Sequence, residues 1–237
     1  MSKIKSMSNI DWFKFEDREY DFPWYRHNPR VSKLGWIVLF FSIFVAFILY
    51  ALPESEMFAS ILFCIALLVP VLYFLDWDIK AIIRKPTSKQ VGLAVLLFVG
   101  YIIYALVMGE ILEILNLAGS DVVSVDMITL ESLFSLIFAM MGEEMIKLIP
   151  FLFFLRLFYK YSDNRKLSVI ASVLFVMVFF GLLHAMDFES IPSVLLLQGA
   201  GSIFEFYGYI KTKNIMVSYI THLCTDAFIY IIILAGL

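Results

Sequence analysis

Between Leu34 and Ala235 the chain is a succession of apolar runs separated by short polar joints. The runs are Leu34–Leu52, Met57–Leu75, Val91–Met108, Met127–Tyr159, Leu167–Leu183, Ile191–Tyr207 and Ile215–Ala235. Each is near or above the ~20 residues that carry a helix across a bilayer. Lipid offers no water to a peptide group, so a run of this length satisfies its own backbone by coiling into a helix. The fold class that follows is all-α, a polytopic transmembrane bundle of seven spans. Composition agrees, because 62% of the residues are hydrophobic, against ~45–50% apolar in soluble domains. The fourth run has 33 residues, about 50 Å of helix against a ~30 Å hydrocarbon core. Pro150 removes a backbone donor inside it, so a kink or break is expected just after Lys147.

The joints alternate in charge. Lysines and arginines fall in 76–90, 156–166 and 208–214, whereas 53–56, 109–126 and 184–190 carry only acids. Basic joints stay in the cytoplasm, which puts the amino terminus inside and the carboxyl terminus outside. Residues 1–33 form a polar arm with mixed charge and many aromatics, among them Trp12, Phe13, Phe15, Tyr20, Phe22, Trp24 and Tyr25. The arm lacks the apolar core and small-residue cleavage site of a signal peptide. Its rings suit the lipid headgroups, so it is read as a cytoplasmic, interfacial segment, with a partly disordered tail as the equal alternative, and 34–237 as one transmembrane domain. A net charge of −3, spread over short joints, speaks against nucleic-acid partners. Cys64 and Cys224 both lie in apolar runs, without the spacing of a disulfide framework or a metal site.

Against that background the polar residues inside the runs carry the information. Glu143, Glu144 and Lys147 sit together in the fourth run, where each charge costs roughly 2.5–3.5 kcal/mol at the bilayer centre. A Glu143–Lys147 pair at i,i+4 explains two of the three, leaving Glu144 about 100° round the helix. The fifth run closes on Phe180-Gly-Leu-Leu-His184, and the seventh carries His222-Leu-Cys-Thr-Asp226, whose spacing puts imidazole and carboxylate on one face. Each cluster has a plain structural use: an interfacial histidine at a helix end, or a hydrogen bond between packed helices. Glu205, near Tyr209 and Lys211, has two readings, lining an entry path or making an interfacial salt bridge, and the second is preferred. Together the inventory suits hydrolysis. A glutamate can deprotonate water while a histidine orients it, and a second histidine can stabilise an oxyanion. Glu with two His could also hold zinc, but the H-E-x-x-H pair is missing, so a metal-independent reaction without cofactor is preferred to a zinc-dependent one. Counted at ~1.5 Å per residue from the basic joints, Glu143 lies about 20 Å deep, His184 about 27 Å and His222 about 12 Å. Tilt, a kink or a water-filled funnel is needed for them to meet.

In this order the three clusters resemble the CPBP family of intramembrane proteases, named for its CAAX-processing and bacteriocin-processing members. The family pattern runs E-E-x-x-x-R, F-x-x-x-H and H-x-x-x-N. Glu143-Glu144 match the first motif, Phe180 and His184 the second, and His222 with Asp226 the third with one substitution. The glycine-containing run at Gly199, the turn at Lys211 and the histidine-bearing last run extend the resemblance over roughly 127–230. Two positions depart from it. Leu148 stands where the family has arginine, with Lys147 one place earlier, closer to the E-E-x-x-K of the PrsW-type membrane proteases. Asp226 replaces asparagine, and it can donate a hydrogen bond only when protonated.

The resemblance implies a glutamate-type intramembrane endopeptidase. Glu143 would activate water, Glu144 would support it, His184 would hold the water, and His222 with Asp226 would line the oxyanion side. Lys147 would stand in for the arginine as a point charge. The implied partner is a membrane-associated peptide or protein in a prokaryotic plasma membrane, reached from the lipid bilayer. The first rival is a non-catalytic scaffold or immunity protein of the same family that binds a partner's transmembrane segment. The second is a proton-coupled transporter, since buried Glu, His and Asp also mark proton relays. That class more often shows repeated halves, and this sequence has none.

Overall fold

The computed structural model describes residues 17, 19–25, 31–117 and 128–236. Trp12, Phe13 and Phe15 of the arm, and residues 118–127, lie outside the described residues. The described chain is helical, with no strand. Its helices are α1 (Lys33–Ala51), α2 (Glu56–Phe74), α3 (Ser88–Ile114), α4 (Leu130–Ser162), α5 (Arg165–Leu182), α6 (Ile191–Val194), α7 (Gly201–Thr212) and α8 (Ile215–Leu234). A π-helical stretch, Leu195–Ala200, joins α6 to α7 without a gap. The expected runs and the helices coincide to within a few residues, except at the long carboxyl-terminal end of α3.

Short polar residues fix most of the starts. Ser32, Ser55, Thr87, Thr129, Asn164 and Asn214 each cap the helix that follows by accepting a backbone N–H. A capped first turn spares donors that lipid cannot satisfy. At the mouth of α2 the cap is shared between helices: Glu131 of α4 accepts from Ser55 Oγ at 2.6 Å and from Met57 N at 3.1 Å.

Five helices, α1, α2, α3, α5 and α8, are long and apolar enough to cross a membrane. The chain is therefore a multi-pass membrane protein. Helix α4 has the length but carries the charged cluster, and the sixth run is divided among α6, the π stretch and α7. No break follows Lys147: α4 continues through Pro150 for 33 residues. The proline leaves the Ile146 carbonyl without its helical donor, yet Ile146, Ile149, Pro150 and Phe151 are all buried. Packing against α2 and α5 holds the helix together across the lost bond.

Helix α4 is the axis of the bundle, flanked by α2, α5 and α8, with α1 outside α2 and α3 outside α7 and α8. Backbone meets backbone where α5 crosses the π stretch. A Cβ on Gly181 would sit 2.9 Å from Gly199 Cα, and one on Gly199 would sit 2.8 Å from the Met177 carbonyl. Part of the arm's described stretch packs inside the bundle. Phe22, Trp24 and Tyr25 are buried in the main core. Phe22 packs edge-on against Phe151 at 5.2 Å, Trp24 meets Trp36 at 5.5 Å, and the Trp24 indole donates to the Phe74 carbonyl at 3.0 Å. Aromatic area of this size gains more inside the bundle than at a wet interface.

Candidate active site

The central half of α4 presents Glu143 and Glu144 on neighbouring faces, with Lys147 one turn on from Glu144. Lys147 is fully buried, and its ammonium reaches Glu144 Oε1 at 2.5 Å and Glu205 Oε2 at 2.7 Å. Its stem and head pass beside Phe180, with Nζ 4.7 Å from the ring centroid. The spacing argument pairs Lys147 with Glu143 at i,i+4. The structure pairs it with Glu144 at i,i+3 instead, because Glu144 faces the bundle interior where α7 and α8 close in. One cation is thus held between two carboxylates from different helices, an arrangement that stays buried only with every partner in place.

Helix α8 completes the cluster. Its Ser218 hydroxyl donates to Glu144 Oε2, and one turn later His222 Nδ1 lies 3.0 Å from Glu144 Oε1. Lys147 Nζ is 3.3 Å from the same ring nitrogen. A lysine ammonium can only donate and an ionised carboxylate can only accept, so the shorter contact assigns the Nδ1 hydrogen to Glu144. Nε2 then points away from Glu144, with Glu143 Oε2 at 3.7 Å, Glu205 Oε2 at 3.8 Å and Asp226 Oδ2 at 3.9 Å.

His184 follows the last turn of α5, and its Nδ1 lies 2.8 Å from the Phe180 carbonyl. A carbonyl accepts, so Nδ1 carries the hydrogen and Nε2 is left as an acceptor. The Phe180 ring stands edge-on to both histidines, 4.7 Å from His184 and 6.3 Å from His222. It separates them and fixes their tilt.

These side chains converge. A cavity of about 730 Å³ is lined by Glu143, Phe180, His184, Glu205, His222 and Asp226, together with Tyr50, Tyr101, Gln198 and Tyr230. The three unequal depths counted along the sequence therefore border one cavity. Glu144 and Lys147 do not line the cavity but stand behind its wall, wholly enclosed. Glu143 does line it, with about a quarter of its side chain exposed.

Glu205 is the residue the sequence reading misplaced. It forms no salt bridge at the interface. It is 4% exposed, bonded to Lys147, and shares the cavity wall with His222. Its helical neighbours Tyr209 and Lys211 suggest a surface position, while its actual partner is 58 residues away. Ser218 was missed as well; its only signal is the four-residue interval before His222.

Glu144, Glu205 and His222 offer ligand atoms within 4.8 Å of one another, the spread of a metal site. Their common neighbour is Lys147 Nζ, which contacts all three. A divalent ion in that donor set would have to displace a buried ammonium, so the set fits the lysine better than zinc.

Residues 126–228 match the family model of the type II CAAX prenyl endopeptidase Rce1-like proteins. All the cavity-lining acids and histidines of α4, α5, α7 and α8 fall inside that range. No curated protein and no solved structure gives a significant match.

Proposed function

We propose, for a chain that belongs through residues 126–228 to the CPBP family of CAAX-type intramembrane proteases, a glutamate-dependent, metal-independent cleavage of a membrane-associated peptide or protein. The observation that carries the reading is the division of labour between two adjacent glutamates. Glu144 is enclosed and bound to Lys147, Ser218 and His222. Glu143 lines the cavity shared with His184 and His222, and its nearest cationic or imidazole neighbour is His222 Nε2, at 3.7 Å.

In this mechanism a water held by His184 Nε2 gives its proton to Glu143 as its oxygen attacks the scissile carbonyl carbon. The electron pair of that carbonyl moves onto oxygen. His222 acts as the imidazolium, its Nδ1–H held from behind by Glu144, and donates its Nε2–H to the resulting oxyanion. Asp226, one turn beyond His222 on the same helix, keeps the imidazole turned to the cavity and adds a hydrogen bond to the oxyanion when protonated. Collapse of the intermediate breaks the carbon–nitrogen bond, and Glu143 returns its proton to the leaving amine. Lys147 balances Glu144 and Glu205 without touching substrate.

Glu143→Gln tests the proposal on purified protein in proteoliposomes, with internally quenched hydrophobic peptides as substrates. General-base loss costs about 10²–10⁴-fold in rate, and a drop of that size is the expected result. Binding of the same peptides should survive the substitution. Cleavage retained by Glu143→Gln would overturn the mechanism. Binding by both proteins with cleavage by neither would instead leave the scaffold reading.

A further inference from the structure

The two ends of the bundle differ in both charge and closure. Every lysine and arginine after Lys33, except the enclosed Lys147, lies in or beside the joints 76–90, 156–166 and 208–214. All three joints lie at one end of the bundle. That end is also shut by the arm. Asp21 pairs with Arg165 at 2.7 Å, Arg84 covers the Tyr20 ring at 3.9 Å, and Phe22, Trp24 and Tyr25 fill the space between the helices.

The cavity runs the other way. From Glu143 and His184 it reaches Pro53 and Glu56 in the first joint, Ile128 before α4 and Ile233 near the end of α8. These are the joints and helix ends that carry acids and no Lys or Arg. The positive-inside rule places the basic end in the cytoplasm, so the mouth faces outward. The wall of the cavity is acidic as well: Glu56, Glu143, Glu205 and Asp226 line it beside His184 and His222, with no lysine or arginine among the described lining residues. A low-dielectric cleft lined by acids concentrates cations, and it offers no lysine or arginine to hold a free terminal carboxylate.

We propose that the cavity is entered from the extracytoplasmic face of the membrane and takes an internal, cationic stretch of a membrane-associated peptide, with Lys or Arg beside the bond to be cut. The cleavage part rests on the protease reading above, whereas the side of entry and the charge preference do not.

Both parts can be measured on the full chain. Cys64 and Cys224 are first replaced by Ala and Ser, and one new cysteine is added, either Ile229→Cys on the cavity wall or Tyr161→Cys at the basic end, where 78% of the side chain is exposed. A membrane-impermeant maleimide added to intact cells is expected to label Ile229→Cys and leave Tyr161→Cys unmodified, with the reverse order in inverted vesicles. Labelling of Ile229→Cys only in inverted vesicles, or from neither side, would overturn the side of entry. Charge preference is read with two dye-labelled hydrophobic peptides that differ by one Lys or one Glu, bound to the purified protein. The Lys peptide should bind about tenfold more tightly, a difference near 1.4 kcal/mol. Equal or reversed affinities would overturn the charge preference. If both measurements hold and neither peptide is cleaved, the failure belongs to the protease reading alone.

Discussion

Lys147 has two carboxylates and an imidazole nitrogen within 3.3 Å, and the consequences of removing it follow from that crowding. Lys147→Met leaves Glu144 and Glu205 buried without their cation, and breaking a buried pair from one side costs about 3–5 kcal/mol. A large fall in apparent Tm in detergent is expected, together with loss of cleavage. The triple variant Lys147→Met, Glu144→Gln, Glu205→Gln removes the charges as a set and should recover most of the stability while staying inactive. A triple variant as unstable as the single one would show that the ammonium matters for its shape rather than its charge. The same crowding bears on metal. Because Nζ stands where a divalent ion would bind, incubation with a strong chelator should leave peptide cleavage unchanged, and added zinc should not raise it. Loss of activity on chelation, restored by zinc, would transfer the chemistry to a metal. The glutamate pair, both histidines and Asp226 stand out in the sequence as candidates because charge is costly in an apolar run, and the structure puts all but Glu144 on one cavity wall. Glu205 was not legible, since Lys211 offered it a plausible local partner and its true one lies on another helix.

At the scale of elements, the run lengths and the Ser, Thr and Asn caps made the helix positions readable, because both signals are local. The continuity of α4 and the π stretch before α7 were not readable. Each depends on what packs alongside. Pro150 argues for a break in an isolated helix, and only burial between α2 and α5 overrides it. The π stretch is where α5 comes closest, through Gly181 and Gly199, and it carries Gln198 in the cavity wall. A side chain at Gly181 must push the two backbones apart one turn before His184. Gly181→Val should therefore destabilise the protein by about 1–3 kcal/mol, the usual cost of overpacking, and cut cleavage by more than the lost stability explains, as His184 is displaced. Gly92→Ala in α3 is the control. Nothing lies within 4 Å of its added Cβ, and helix propensity there predicts a gain of about 0.5–1 kcal/mol. Equal effects at the two sites would mean that the α5 contact is dispensable.

On the scale of the whole molecule, the family match begins at residue 126, but the cavity does not. Tyr50, Pro53, Glu56 and Ala59 from α1, α2 and their joint, and Tyr101 from α3, complete its wall. Helix α2 also supports α4 from behind, with Phe63 seated against Gly142 so closely that a Cβ there would run into the ring. The sequence clusters alone give no hint of this, because Phe63 and Tyr101 are ordinary residues in apolar runs and acquire a role only through packing. The amino-terminal half is therefore part of the site. A chain of residues 126–237 should insert but fail to cleave, since one side of its cavity is open to lipid and Gly142 faces no ring. Supplying residues 1–125 as a separate chain in the same membrane should restore assembly through the α2–α4 contact. Co-purification of the two fragments and recovery of part of the full chain's cleavage are the expected readouts. Adding Phe63→Ala to the amino-terminal fragment should weaken co-purification, because a Phe→Ala change in a packed contact costs about 3–5 kcal/mol. If residues 126–237 cleave alone at the rate of the full chain, α1–α3 are only a membrane anchor, and the cavity as described is larger than the site that works.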